Sequence, residues 1–400
     1  MATALLDLSV LATHTRTRGI GRYVADLARG FERTETANGD LRVLGIEKLG
    51  WAGGSRVTED LSGAVERLTR RDQPMLAHAS WAYRVRVSLS RAARAISPDV
   101  LHTGHPNATP LGAPGCPRVT TCHDLIPLRF PEKYLDIRDG YRPGREWLDQ
   151  RRYHSADHVI AVSETTANDL VTLLGVPPRK ISVVHNGVDL ERWSSEPGED
   201  DASVRQRFGL SESHYVLCVG AADFRKNHHL MLEALSDARK RSPESDLILV
   251  WAARLDLATQ VELRRAAFEH GVSSALRLLG YVSDEELAAL YRGAIAQLFP
   301  SRAEGFGYPV VEAMASGCPV VTSDRSSLAE IAGDAALLVD PESADAIADA
   351  IVSLLDVPGE RERLSARGSG RAKRFALEHM ANLTLDVYRN VIARGKQSSG

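Results

Sequence analysis

Residues 297–320 read Gln-Leu-Phe-Pro-Ser-Arg-Ala-Glu-Gly-Phe-Gly-Tyr-Pro-Val-Val-Glu-Ala-Met-Ala-Ser-Gly-Cys-Pro-Val. The pattern predicts a buried strand over 296–300, a glycine loop around Glu304, Gly305, Phe306 and Gly307, and a helix from Pro309 to Ser316. Pro309 suits the first helical position, and Gly317 suits the left-handed residue just past the last turn. A second apolar run, Pro319 to Thr322, then starts another strand. Two glutamates, Glu304 and Glu312, thus flank a helix N-terminus that opens at the end of a strand. In open α/β sheets that is where ligands sit, and free N–H groups there favour an anion.

The same alternation runs outward through the 400 residues, a length that favours two domains over one core. On the N-terminal side, strands are expected at 4–10, 41–46, 99–102, 119–122, 159–162 and 181–184, with helices at 20–31 and 165–174. A polar stretch at 194–203 has the composition of a surface linker, after which strands are expected at 215–219, 247–251, 276–279 and 336–339. The last helix, 380–393, carries one apolar stripe and is expected to pack back across the domain boundary. The fold class is therefore α/β, with two Rossmann-like parallel-sheet domains facing across a cleft. Residues 1–195 form the N-terminal domain, joined by the C-terminal helix 376–400, and residues 196–375 form the second.

Composition narrows the class. With 44% hydrophobic and 25% charged residues this is a globular protein, and no apolar run is long enough to cross a bilayer. The N-terminus lacks a basic residue before its apolar stretch and places Asp7 inside it, which argues against a signal peptide. Cys116, Cys122, Cys218 and Cys318 are scattered, as reduced thiols of a cytoplasmic protein are. Basic residues gather at 84–94 and 138–152, an arrangement that fits a solvated helix face or peripheral contact with an anionic membrane on its inner side. No nucleic-acid partner is expected.

Several chemistries are disfavoured. Gly19-Ile20-Gly21 lacks the third glycine of a dinucleotide fingerprint, and a basic loop separates it from the preceding strand. No Gly-x-x-x-x-Gly-Lys run exists, nor any Asp-x-Asp triplet, and His154 and His158, though four apart, lack the glutamate of a His-Glu-x-x-His site. Neither metal nor cofactor is expected. By contrast, Gly220-Ala-Ala-Asp-Phe-Arg225-Lys226-Asn227 follows a strand directly and puts two cations where they could hold a diphosphate.

At this point the chain resembles a known family. Gly19-Ile20-Gly21-Arg22-Tyr23, His123-Asp124-Leu125, Val162-Ser163-Glu164, Asn186-Gly187-Val188-Asp189, Arg225-Lys226-Asn227, Gly280-Tyr281-Val282 and the Glu304-to-Glu312 stretch occur in the order seen in the family 4 retaining glycosyltransferases of GT-B architecture. The resemblance covers essentially the whole chain. It implies transfer of a hexose, with mannose favoured, from a GDP- or UDP-linked nucleotide sugar to a hydroxyl of a glycan or lipid-linked acceptor, without metal. It assigns Arg225 and Lys226 to the diphosphate, Glu304 and His123 to hydroxyls of the donor hexose, and Glu312 to the ribose. Gly220, Gly305, Phe306 and Gly307 would let backbone approach the donor, Gly19 and Gly21 would close over the diphosphate, and Tyr281 and Val282 would flank the base. Alternatives of the same architecture are a nucleotide-sugar 2-epimerase and a non-catalytic nucleotide-sugar-binding protein. The chain departs from the family pattern at Trp251-Ala252-Ala253-Arg254, where many relatives carry a glycine, at Phe375 to Glu378, which lacks a frequent tryptophan, and at the first glycine of the second domain, which lacks the neighbouring arginine whose duty falls to Arg225.

Overall fold

The computed structural model describes residues 1–13, 19–34, 39–48, 55–69, 78–110, 114–134 and 145–397. Contacts divide the chain into two units, 1–187 with 376–400, and 188–375. The boundary lies earlier than the expected linker because the residues before that linker pack with the second unit. Val188 N–H donates to the Phe375 carbonyl at 2.7 Å, and Trp193 is wholly buried with its ring edge-on to Tyr291.

The first unit is built on β1 (Ala2–Asp7), β2 (Leu41–Lys48), β3 (Ser55–Thr58), β4 (Val100–Thr103), β5 (Arg118–Cys122), β6 (His158–Ala161) and β7 (Ile181–Val183), in the order β3-β2-β1-β4-β5-β6-β7. All neighbours are parallel except β3, which runs antiparallel to β2 at the edge. Sequence periodicity missed it: Ser-Arg-Val-Thr has no buried face, so its only signature is β-branching. The central strands are buried on both faces and are accordingly runs of Leu, Val and Thr without alternation.

The helix Leu377–Gln397 closes this unit by lying on the helix Gly19–Thr34. Gly30 permits the approach, since a Cβ there would stand 2.6 Å from the Leu377 carbonyl oxygen. A buried polar chain fixes the register: the Tyr388 hydroxyl meets His102 Nδ1 at 2.6 Å, His102 Nε2 meets Thr121 Oγ1 at 2.8 Å, and Thr121 Oγ1 meets the Tyr23 hydroxyl at 2.9 Å. Burial drives the His102 pKa down to about 3, so the ring stays neutral and serves as one donor and one acceptor.

The second unit contains β8 (Tyr215–Val219), β9 (Ile248–Ala252), β10 (Leu276–Gly280), β11 (Ala296–Phe299), β12 (Val320–Ser323) and β13 (Leu337–Val339), all parallel, in the order β10-β9-β8-β11-β12-β13. Helix ends carry their own signals. Ser283 and Glu286 form a reciprocal capping box before the helix Asp284–Gly293, and Asp256 accepts from Thr259 N–H at the start of the helix Leu257–Glu269. Strand order reverses between β8 and β11 here, and between β1 and β4 in the first unit; these are the positions at which doubly wound sheets open a crevice. Among the described residues no helix is long and apolar enough to cross a membrane. None of the four cysteines forms a disulfide, and burial raises Cys116, Cys218 and Cys318 to about 11 or 12.

Candidate functional site

The loop leaving β8 is shaped by three backbone devices. Gly220 has φ 105°, a conformation that side chains rarely adopt, and its carbonyl accepts from the Trp251 indole at 2.9 Å. Trp251, one of the departures from the family pattern, thus holds this turn from the neighbouring strand. Asp223 then caps the short turn Phe224–Lys226, its Oδ1 taking Arg225 N–H at 3.0 Å and Arg225 Nε at 3.1 Å. Asn227, at φ 63°, tolerates the left-handed position and hands the chain to the helix His228–Arg241. Arg225 Nη1 also donates to the Ala303 carbonyl at 3.2 Å, which ties this loop to the one leaving β11.

That second loop is held from below by two serines whose role the sequence did not disclose. Glu304 N–H donates to Ser326 Oγ at 3.1 Å, Ser326 Oγ donates to the Glu304 carbonyl at 2.7 Å, and Ser327 Oγ lies 2.8 Å from the same carbonyl and 3.1 Å from that of Phe306. Ser326 itself sits at φ 60°, a strained position for a residue with a side chain. Gly307 is required twice over: its φ is 107°, and a Cβ would stand 2.6 Å from Leu328 Cδ2. The helix Tyr308–Ala315 starts directly after it and points its N-terminal amides toward this loop, in agreement with the expected helix apart from one-residue offsets at its ends. Phe306 anchors the turn, buried with its ring edge-on to Tyr308 and Phe375.

The two loops bring together four charges. Lys226 Nζ donates to Glu304 Oε1 at 2.7 Å, Arg225 Nη1 lies 3.6 Å from Glu304 Oε2, and Asp223 holds the other edge of Arg225. Lys226 Nζ also stands 3.9 Å above the Phe299 ring, a cation–π contact that fixes its stem. The two cations and two carboxylates sum to zero formal charge, so attraction for an anion rests on where the donors point and on the adjoining helix N-terminus. An ammonium has three N–H donors, and each carboxylate oxygen accepts more than once, so Lys226 and Glu304 can stay paired while serving a ligand. Glu312 is 2% exposed on this helix, with the Tyr291 hydroxyl donating to its Oε2 at 3.4 Å. Gly280, at φ 77°, turns the chain after β10 so that Tyr281 stands 76% exposed beside the partly buried Val282.

In the first unit the helix Gly19–Thr34 begins at Gly19 and Gly21, while the basic loop before it lies outside the described residues. His123, just past β5, donates Nε2–H to the Gly104 carbonyl at 2.7 Å and packs edge-on against Tyr23 with ring centroids 4.9 Å apart. A carbonyl only accepts, so this bond sets the tautomer and leaves Nδ1 as an acceptor. Burial lowers the His123 pKa to about 4, which keeps the ring neutral. Asp124 Oδ1 accepts from Ile126 N–H at 3.1 Å and so shapes the loop.

Other sequence readings change. His154 and His158 share no helix: the first ends a helix and bonds the Leu174 carbonyl, the second lies in β6 and meets Ser182 Oγ. Of the basic segments, Arg91 and Arg94 are exposed, but Arg86 is half-buried with Nε on the Asn107 carbonyl at 2.8 Å. The Arg84 and Arg145 side chains, and residues 138 and 142, lie outside the described residues.

Comparison with known proteins decides what these loops belong to. The family described as Glycosyl transferases group 1 matches residues 200–371, and Glycosyltransferase Family 4 matches residues 17–192. The O-antigen chain mannosyltransferase B of Escherichia coli is 33% identical over 68% of this chain and 70% of its own length. The chain belongs to the family 4 glycosyltransferases. It is an enzyme of GT-B fold; the first match lies within the second unit, and the other covers most of the first unit and runs on to residue 192, just past its boundary. A D-inositol 3-phosphate glycosyltransferase of Rhodococcus jostii is 30% identical over 69% of this chain, which spans 61% of that relative's length. In fold, this glycosyltransferase is similar to the crystal structure of Anabaena Alr3699/HepE in complex with UDP and glucose, with a TM-score of 0.73, 17% identity, and coverage of 98% of this chain and 100% of that one.

Proposed function

We propose that this glycosyltransferase moves a hexose, mannose in preference, from a nucleoside-diphosphate sugar to a hydroxyl of a glycan or lipid-linked acceptor, with retention of anomeric configuration and without metal in the reaction. The observation that carries the reading is the cluster at the second unit's switch point, Lys226 and Arg225 on Glu304 at 2.7 and 3.6 Å beside a helix N-terminus. Arg225 and Lys226 hold the diphosphate and stabilise the charge that grows on it as the bond to the sugar breaks. Glu304, pinned by Ser326 and Ser327, accepts from hexose hydroxyls with the lone pairs that Lys226 leaves open. Glu312 accepts from the ribose; its near-complete enclosure limits it to a ligand that reaches its remaining edge. Neutral His123 offers Nδ1 to a further hexose hydroxyl, and the amides around Gly19 and Gly21 approach the diphosphate. Tyr281 and Val282 flank the base.

No side chain of this set is placed as a covalent nucleophile. The acceptor oxygen therefore attacks C1 from the face the diphosphate leaves; the C1–O bond to phosphate breaks, and the acceptor proton passes to the departing phosphate oxygen. The mannose preference is supported by the named activity of the 33%-identical relative, and the nucleotide-sugar donor by the ligands in the structurally similar protein. Exposed Arg91 and Arg94 are compatible with peripheral contact to an anionic membrane carrying the acceptor. The test is product stereochemistry by proton NMR after turnover with GDP-mannose and, in parallel, UDP-glucose. Retention is expected, with GDP-mannose the better donor; an inverted linkage overturns the mechanism, and consumption of donor without acceptor would favour a 2-epimerase.

A further inference from the structure

The sequence reading found no metal-ligand spacing, yet the fold assembles one from residues that are distant in the chain. His228 and His229 open the helix His228–Arg241, and Glu262 lies on the helix Leu257–Glu269. His228 Nε2 and His229 Nε2 stand 3.2 and 3.3 Å from the same oxygen, Glu262 Oε1, and the ligand atoms of all three residues lie within 4.8 Å of one another. We propose that His228, His229 and Glu262 form a site for a divalent transition-metal ion of the zinc class, separate from the diphosphate-binding residues.

Three features support it. Zinc bound at about 2.0–2.1 Å by two imidazoles and one carboxylate sets tetrahedral ligand–ligand edges of about 3.3–3.4 Å, which the two His–Glu distances already match. Only the edge between the two imidazoles has to adjust, and their rings lie close, with centroids 4.5 Å apart. Second, His228 is 8% exposed while His229 and Glu262 are half-exposed, so one ligand is anchored, two can move onto an ion, and a fourth position opens to water. Third, the donor set of two imidazoles and one carboxylate is one that zinc takes, and Glu262 adds a negative charge to it. The His228 Nδ1 atom makes no hydrogen bond among the described residues, so no second partner fixes the tautomer against presenting Nε2 to an ion. The helix N-terminus opposes a cation, but the dipole effect is weak and screened where two of the three ligands are half-exposed.

The bound ion would clip the start of the helix that directly follows Arg225-Lys226-Asn227 to the neighbouring helix, bracing the diphosphate loop without touching the reaction. The test uses the full-length, tag-free protein after chelator treatment, titrated with Co²⁺ alone and read by its visible d–d absorption, with Zn²⁺ then added as competitor. One saturable equivalent of low-symmetry Co²⁺ displaced by Zn²⁺ is expected. His229→Ala and Glu262→Gln should each weaken it at least about tenfold, since even the outer partners of metal ligands carry tenfold or more. His214→Ala, an exposed histidine elsewhere, should leave it unchanged. Both test positions are half-exposed, so unchanged melting of the metal-free variants confirms their fold. Absence of saturable binding, or binding that survives in both variants, overturns the site.

Discussion

The two halves of the chain share a sheet order that reverses beside their first strand, yet they put different chemistry at that reversal. In the second unit the loops after β8 and β11 carry Asp223, Arg225, Lys226 and Glu304 within one ion-paired cluster. In the first unit the corresponding strand ends present Asp7, Gly104 and, one strand further on, His123, which is held neutral by burial. One scaffold thus supplies two kinds of site, and the difference lies in charged groups set by loops, because the strands beneath are largely apolar, with neutral polar side chains such as His102 and Thr121 in the first unit and Gln297 and Thr322 in the second. The charged loop is the one proposed to hold the phosphorylated leaving group, and neutral His123 the group proposed to meet a hydroxyl.

The largest effect is expected where charge is concentrated. Lys226→Ala removes the ammonium proposed to hold the diphosphate and leaves Glu304 beside Arg225 alone, so kcat should fall by about 10²–10³, the range for losing one donor to a developing oxyanion. Steady-state rates with saturating donor check it; a loss of less than tenfold would place the diphosphate elsewhere.

The next effect belongs to the first unit and concerns stability. Asp7 ends β1 with Oδ1 on Ser9 N–H at 2.9 Å and Oδ2 without a partner among the described residues, and burial raises its pKa from 3.8 to about 6. A raised carboxyl contributes stability fully below the unfolded pKa and loses it as pH rises through the folded value. Asp7→Asn should therefore be more stable than the parent by on the order of 2 to 3 kcal/mol at pH 8, the worth of a two-unit shift, with the advantage vanishing by about pH 4. Denaturant unfolding across pH measures it. A constant difference would show that the carboxyl is not held protonated.

Smaller again is the closing helix. Tyr388→Phe leaves His102 Nδ1 without its partner inside the core, at a cost of about 1 to 3 kcal/mol in unfolding free energy. The second unit's charge cluster should be unaffected, so donor affinity should hold while the melting temperature falls.

Much of this layout was legible in the sequence. The parallel strands of both units announced themselves as short apolar runs ending in glycine or polar residues, because strands buried on both faces have no polar alternation to disguise them. The stretch from Glu304 to Gly317 was legible for a different reason: proline and glycine fix backbone angles locally, and the helix they predict is the one present. What escaped was long-range. That Lys226 pairs with Glu304 across seventy-eight positions, or that Ser326 and Ser327 support the Glu304 loop, follows only from β8, β11 and β12 lying side by side. The His228, His229 and Glu262 cluster is hidden likewise, since its carboxylate comes from another helix. The exposed edge strand β3 gave too short a run to register.

The most direct test of the contrast between the two switch points is calorimetric binding of GDP and UDP, without sugar, to the parent, Lys226→Ala and His123→Ala. If the Arg225–Lys226 loop is the main holder of the diphosphate and His123 meets only the hexose, the Lys226 variant loses most of the nucleotide affinity while the His123 variant keeps the parent value. Equal losses in the two variants would contradict the division of chemistry between the units.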